Sequence, residues 1–182
     1  MDKNKNLIYK IYIMNNKNNI NKSNTNIQKI TCIEASRIKN PELLANVAFN
    51  NFIYLTEFPE LMHTKQDIIK TLQASGNLCY LVYDDTKLIG YLIGDFRTLP
   101  DNRYGYYISY MYVSEQYRAK KIGSKLMNML IDKCKSTGTK FIVLTCDVND
   151  TKIVNFYKKY GFNIDPSLGD NNKRHVVFCL YL

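Results

Sequence analysis

The chain has 182 residues, 46% of them hydrophobic and 23% charged, and no apolar run approaches the roughly 20 residues that a membrane span requires. Those values exclude a disordered, a collagen-like and a membrane-channel protein, and the length fits one domain with a tail. Twenty-five basic and 16 acidic residues leave a net +9, a spread excess that suits an anionic cofactor as well as nucleic acid. No nucleic-acid motif accompanies it, so neither a nucleic acid nor a membrane is an expected partner.

Residues 1–26 hold nine asparagines, and Asn15 to Asn26 reads NNKNNINKSNTN. Such a tract buries too little apolar surface to offset its ordering entropy, and a flexible Asn/Lys-rich tail is expected there. The apolar run Leu7 to Met14 is broken by Lys10 and lacks a small-residue cleavage site, which makes it a poor secretory signal. Cys32, Cys79, Cys134, Cys146 and Cys179 form no CxxC pair, and only His63 and His175 could join them. No metal site is therefore expected, and scattered thiols without a signal suit a reducing, intracellular and cytoplasmic setting.

A single domain is expected over 27–182. IQKITCI reads as its first strand. Asn40 before Pro41 is an N-cap followed by proline at the first helical position, predicting a helix through Leu44, Val47 and Ala48 to about Phe52. Thr64 with Asp67 is a capping-box variant opening a second helix with Ile68, Ile69 and Leu72, stopped at Gly76. LCYLVYD and KLIGYLIGDF read as strands around an Asp84-Asp85-Thr86 turn, and a third strand spans roughly Arg103 to Val113. Ile122, Leu126, Met129, Leu130 and Cys134 keep the helical period. The strand KFIVLTC follows, then a helix with Ile153, Phe156, Tyr157 and Tyr160 on one face, then the strand HVVFCLYL. The order β-α-α-β-β-β-α-β-α-β predicts a mixed α/β (α+β) fold with helices on both faces of one sheet.

Chemistry concentrates in YISYMYVSEQYRAKKIGS, Tyr107 to Ser124. A strand ends at Val113, a basic loop follows, and an amphipathic helix begins near Ile122. Loop amides at a helix N-terminus, with Arg118, Lys120 and Lys121 adding full charges and Gly123 allowing close approach, suit a phosphate or pyrophosphate. On chemistry alone, a solvated basic surface is an equal reading.

Arg118-Ala119-Lys120-Lys121-Ile122-Gly123 resembles the R/Q-x-x-G-x-G/A acetyl-CoA loop of the GNAT N-acetyltransferases. About forty residues on, VNDTKIVNFYKKYGF resembles that family's closing helix. The two motifs stand in family order with a strand between them, and the resemblance spans roughly 27–182. It implies a mixed, mostly antiparallel sheet of about six or seven strands flanked by about four helices. It also implies an acetyl-CoA-dependent N-acetyltransferase that releases CoA after direct attack of a primary amine in a ternary complex.

By the same resemblance, the backbone of Met111, Tyr112 and Val113 pairs with the pantetheine arm. The amides of Arg118, Ala119, Lys120, Lys121, Ile122, Gly123 and Ser124 hold the pyrophosphate, and Asp150 stands at the closing helix where the family often has Asn. Tyr157 lies near the thioester sulfur and protonates the departing thiolate; the other reading, a core aromatic at helical spacing, suits Phe156 better than Tyr157. Lys121 replaces the usual first glycine of the loop, which costs energy if φ is positive there.

No His or Glu stands in the last turns of the Tyr107–Val113 strand, so Tyr107, Ser109, Tyr110 and Tyr112 are the candidate proton acceptors there. A lysine amine of pKa ~10.4 is only about 0.04% neutral at pH 7, roughly 4.6 kcal/mol uphill. A protein α-amine of pKa ~8 is about 10% neutral, roughly 1.4 kcal/mol uphill, and asks less of a tyrosine-lined site. Phe58-Pro59, Tyr107 eleven residues before Arg118, and NFYKKYGF are similar to the protein N-terminal acetyltransferases, especially the type acting on retained methionine. That likeness makes Tyr107 a catalytic residue that orders water and sets Glu57 to His63 beside a peptide. Thr145 stands where that type carries a histidine. The acceptor is then a peptide or a small molecule. The alternatives are a small-amine or lysine acetyltransferase and a non-catalytic acyl-CoA-binding module. Cys146 is the thiol to watch for a covalent route.

Overall fold

The computed structural model describes residues 29–34, 37–74, 77–169 and 174–182. The expected tail over 1–26, Ile27 and Gly76 lie outside the described residues. β1 (Lys29–Glu34) leads to α1 (Pro41–Asn51), two short 3₁₀ turns (Ile53–Glu57 and Pro59–Leu61) and α2 (Lys65–Gln73). β2 (Leu78–Asp84), β3 (Lys87–Thr98) and β4 (Tyr104–Val113) follow as a meander. A 3₁₀ turn (Glu115–Tyr117) then precedes α3 (Ile122–Ser136), β5 (Phe141–Asp147), α4 (Thr151–Lys158), β6 (Asn163–Ile164) and β7 (His175–Tyr181).

Local chemistry sets the helix starts where it was expected to. Asn40 accepts the Leu43 amide at 3.0 Å, and Thr64 Oγ1 accepts the Asp67 amide at 3.1 Å while donating to the Asp67 carboxylate. α2 ends at Gln73, short of Gly76, because Ala74 is already extended (ψ 133°). The 3₁₀ turns and the two-residue β6 carry too few residues for a readable period.

The sheet runs β1-β2-β3-β4-β5-β7-β6. Every neighbouring pair is antiparallel except β4 and β5. Helices cover both faces, so β2 reads as a near-continuous apolar run. On one face Tyr80, Val82, Leu92, Tyr106 and Ile108 pack under α3 and α4 with Leu126, Leu130, Tyr157 and Phe162. On the other, Leu81, Tyr83, Tyr91 and Ile93 pack under Leu44, Ala45 and Ala48 of α1 and Ile68 and Leu72 of α2. In α3 the fully buried methionine is Met127, and Met129, expected inward, is only partly buried.

The join between β4 and β5 positions the site. Ile93 pairs with Tyr110 and Gly94 with Ile108, which leaves Ser109 as a bulge in β4. A Cβ on Gly94 would come within 2.7 Å of the Tyr106 ring and closer still to the Tyr107 carbonyl, so only glycine admits this approach. Parallel pairing of β4 with β5 covers only Tyr106–Ile108 against Ile142–Leu144. The sheet therefore splays after Ile108, where the bulge turns β4 away from β5, ahead of the strand's end at Val113.

Candidate active site

The splayed strands open a cleft of about 1090 Å³, lined by Tyr107 to Met111 of β4 and Leu144 to Asp147 of β5. Tyr54, Met62 and His63 from the α1–α2 connection, Asp150 and Tyr157 from the start and body of α4, and Arg174 and His175 complete the walls. Past Ile108, β4 keeps its bonds to β3 on one edge through Met111, Tyr112 and Val113, while its edge toward β5 is unpaired.

α4 delivers Tyr157 from the α3/α4 face of the sheet. Its first turn is capped by Asp150, which accepts the Ile153 amide at 3.0 Å. Tyr157 is the buried residue of this helix, while Phe156 and Tyr160 are partly buried and Ile153, expected inward, is exposed. Among the described residues the Tyr157 hydroxyl has no hydrogen-bond partner. Burial, then the neighbouring Cys146 and Tyr54, push its pKa well above the usual tyrosine range. The phenol therefore stays protonated, with nothing among the described residues to donate to. Cys146 lies in the same wall, and burial together with Asp150 and Asp147 pushes its thiol up to about 12. Nucleophilic attack needs the thiolate, so a covalent route through Cys146 is disfavoured.

The α1/α2 face carries the other polar groups. The Tyr107 hydroxyl shares a 2.7 Å hydrogen bond with Thr145 Oγ1, and the Arg97 guanidinium lies 4.5 Å from the centre of its ring. Burial raises the Tyr107 phenol, against the lowering influence of Thr145 and Arg97. Tyr110 meets His63 Nδ1 at 2.9 Å, and His63 Nε2 lies 3.3 Å from the Phe49 carbonyl. A carbonyl only accepts, so Nε2 carries the hydrogen and Nδ1 accepts from Tyr110. Burial lowers the His63 pKa, so the ring is neutral at neutral pH. Tyr107, Ser109 and Tyr110 thus line the cleft. Tyr112 does not: its ring stacks on Tyr91, centroids 5.4 Å apart. His63 is the residue that sequence reasoning missed as a polar group of the site. It lies in the connection expected beside a peptide, but its contacts reach across 47 residues to Tyr110.

The basic loop continues from the open end of β4. Arg118 donates through Nε to the Val113 carbonyl at 3.1 Å. Ala119 (φ 62°) and Lys121 (φ 61°) are both left-handed, so lysine does stand at a position that favours glycine. Lys121 is the N-cap residue of α3 and makes no side-chain cap. Among the described residues, none of the amides of Ala119, Lys120, Lys121, Ile122, Gly123 and Ser124 finds a backbone acceptor. A Cβ on Gly123 would meet Met111 and Phe156 only at 3.4–3.6 Å, so internal packing does not demand glycine there. Unsatisfied amides at a helix start, bracketed by Arg118, Lys120 and Lys121, form a seat for an anion.

The family model of the acetyltransferase (GNAT) family matches residues 46–162. No curated protein matches the sequence significantly. Solved structures do match. Escherichia coli ElaA superposes with a TM-score of 0.64 at 20% identity, covering 84% of this chain and 99% of that one. Arabidopsis thaliana Naa50 in complex with the bisubstrate analogue CoA-Ac-MVNAL gives 0.59 at 21%, covering 84% and 99%. The PaiA N-acetyltransferase from Thermoplasma acidophilum in complex with coenzyme A gives 0.60 at 17%, covering 85% and 99%. These likenesses speak for the fold. The family match extends over well more than half of the sequence, through the bulged β4, the basic loop and the helix bearing Tyr157, and on that match the chain belongs to the acetyltransferase (GNAT) family.

Proposed function

We propose that the chain moves an acetyl group from acetyl-CoA to a primary amine by direct attack in a ternary complex, releasing CoA. The observation that carries this is the protonated Tyr157 hydroxyl, without a hydrogen-bond partner among the described residues, in the wall of the cleft between β4 and β5. In this reading the unpaired edge of Met111 to Val113 receives the pantetheine amides, and the amides of residues 119–124 hold the pyrophosphate; the Arg118 amide, expected to join them, is already bonded to the Glu115 carbonyl at 3.0 Å. The thioester then lies beside Tyr157, which gives its proton to the departing thiolate. Holding amine and thioester together supplies most of the rate, as bound reactants need no collision.

The acceptor we favour is a protein N-terminus. Tyr54, Met62 and Tyr110 give the acceptor side an apolar, aromatic lining, and Asp67, Asp95 and Asp147 lie in the same walls to attract a cationic amine. An α-amine also needs less help to lose its proton than a lysine does. The test is a free-thiol release assay with acetyl-CoA against Met-initiated and processed N-terminal peptides, lysine peptides, polyamines and aminoglycosides. Release with N-terminal peptides is the expected outcome. Release with another amine class keeps the enzyme and replaces the acceptor. Tight CoA binding with no release from any amine points to the non-catalytic module instead.

A further inference from the structure

The two tyrosines of the acceptor side differ in one respect that matters for proton transfer. Tyr107 bonds to a threonine hydroxyl, and neither group holds an extra proton at neutral pH. Tyr110 donates to an imidazole whose tautomer is fixed by the Phe49 carbonyl and whose ring is clamped by stacking on Phe49, centroids 4.8 Å apart. His63 is buried, yet it and Tyr110 both line the cleft. Tyr110 is also the first side chain past the Ser109 bulge, where β4 parts from β5. It packs on the α1/α2 face, whereas Tyr157 belongs to the α3/α4 face.

We infer that Tyr110 and His63 form the proton-accepting pair for the acceptor amine, Tyr110 taking the amine proton as its own proton passes to His63 Nδ1. This rests on the acetyl-transfer reading above. The step balances as follows. The amine nitrogen forms its bond to the acetyl carbon and the carbon–sulfur bond breaks. One N–H proton moves to Tyr110 while Tyr110's moves to His63, and Tyr157 gives its proton to the thiolate. The imidazolium of His63 then returns a proton through solvent to Tyr157, and an amine that arrives as ammonium releases one further proton. His63 acts through Tyr110 and is therefore a positioning and relay residue, with Tyr110 as the group that touches the amine. Burial first, then the Tyr107 phenol and the Asp67 charge, raise the Tyr110 phenol, and Lys65 stands 5.4 Å from the Phe49 ring centre. Phe49 is the residue that α1 places against the imidazole.

The test compares kcat/KM against pH for the full-length enzyme and for His63→Asn, His63→Ala and Tyr110→Phe, on the best amine found by thiol release, with Tm and CoA affinity measured alongside. Asparagine keeps an acceptor for the Tyr110 hydroxyl but cannot store a proton. The expected result is a wild-type acidic limb below the usual histidine range, since only neutral His63 accepts. All three variants lose that limb and about 10²–10³-fold in rate, with CoA affinity within about twofold. A His63→Asn enzyme with wild-type rate and pH profile shows that the ring merely orients Tyr110, and overturns the pairing alone. Tyr110→Phe leaves the His63–Phe49 contact in place, so it remains a fair test if the His63 variants fold poorly; an unchanged acidic limb in it also overturns the pairing. Absence of thiol release by the wild-type enzyme on every amine overturns the acetyl-transfer reading, and the pairing with it.

Discussion

Tyr157 shows what a single residue's surroundings say about its role. A buried hydroxyl normally finds a partner, since leaving one unsatisfied costs about 1–3 kcal/mol. Among the described residues this one has none, so its deletion orphans nothing. Tyr157→Phe should therefore leave Tm within about 2 °C while lowering kcat about 10²–10⁴-fold, as loss of a general acid does. An acetyl thioester of a more acidic thiol should recover much of that loss, because its thiolate leaves without a proton. A matching drop in Tm, or no drop in rate, would remove Tyr157 from its role. The sequence could offer Tyr157 only as one of several aromatics at helical spacing, and by spacing alone Phe156 suited the core better. The structure reverses that order: Tyr157 is the more buried of the two and also faces the cleft. Lys121 was legible as a departure from glycine, whereas the positive φ of Ala119 was not, because nothing in a lone alanine signals a left-handed backbone.

At the scale of the element, the bulge in β4 creates the site. YGYYISYMYV carries apolar side chains on both faces, so a one-residue slip leaves no mark in its alternation. The strand itself was readable within a residue at its start, but the point where the sheet opens was not. The matching feature in β3, Gly94, reads as an ordinary strand glycine until the Tyr106 ring and Tyr107 carbonyl are seen against it. Gly94→Ala should force β3 and β4 apart at the bulge. The expected loss is about 1–3 kcal/mol, as for other overpacked core positions, or a fall of several degrees in Tm. Activity should fall further than stability, since Tyr107 and Tyr110 flank the bulge. Thermal melts beside thiol release check this, and an alanine variant with wild-type values in both would show that the bulge relaxes at no cost.

Across the whole molecule, helix caps, strand runs and the order of elements were legible because they rest on contacts a few residues apart. The cleft and its polar pairs were not, because they join residues 38 to 47 positions apart. The same holds for the cluster at the far end of the sheet. Arg103, just before β4, reaches Asp101, Asp165 and Ser167 and donates to the Tyr181 hydroxyl of β7 at 2.6 Å. Burial raises the Asp165 carboxyl, and hydrogen bonds from Ser167 and Arg103 more than reverse this, bringing it down to about 2. An unfolded aspartate titrates near 3.9. A carboxyl depressed in the folded state contributes its stability above the unfolded value and loses it as pH falls toward the folded one. The shift corresponds to about 2.6 kcal/mol, almost fully present at pH 5 and gone near pH 1, below both values. Urea denaturation at pH 7, 5 and 3 should thus show a steep loss of stability in the wild-type protein between the last two. Asp165→Asn should be less stable at pH 7 by about 1–3 kcal/mol, with a shallower acid slope because that proton is no longer taken up on unfolding. Parallel slopes in the two proteins would place the acid sensitivity elsewhere, with Asp147 beside Arg174 the next carboxylate to vary.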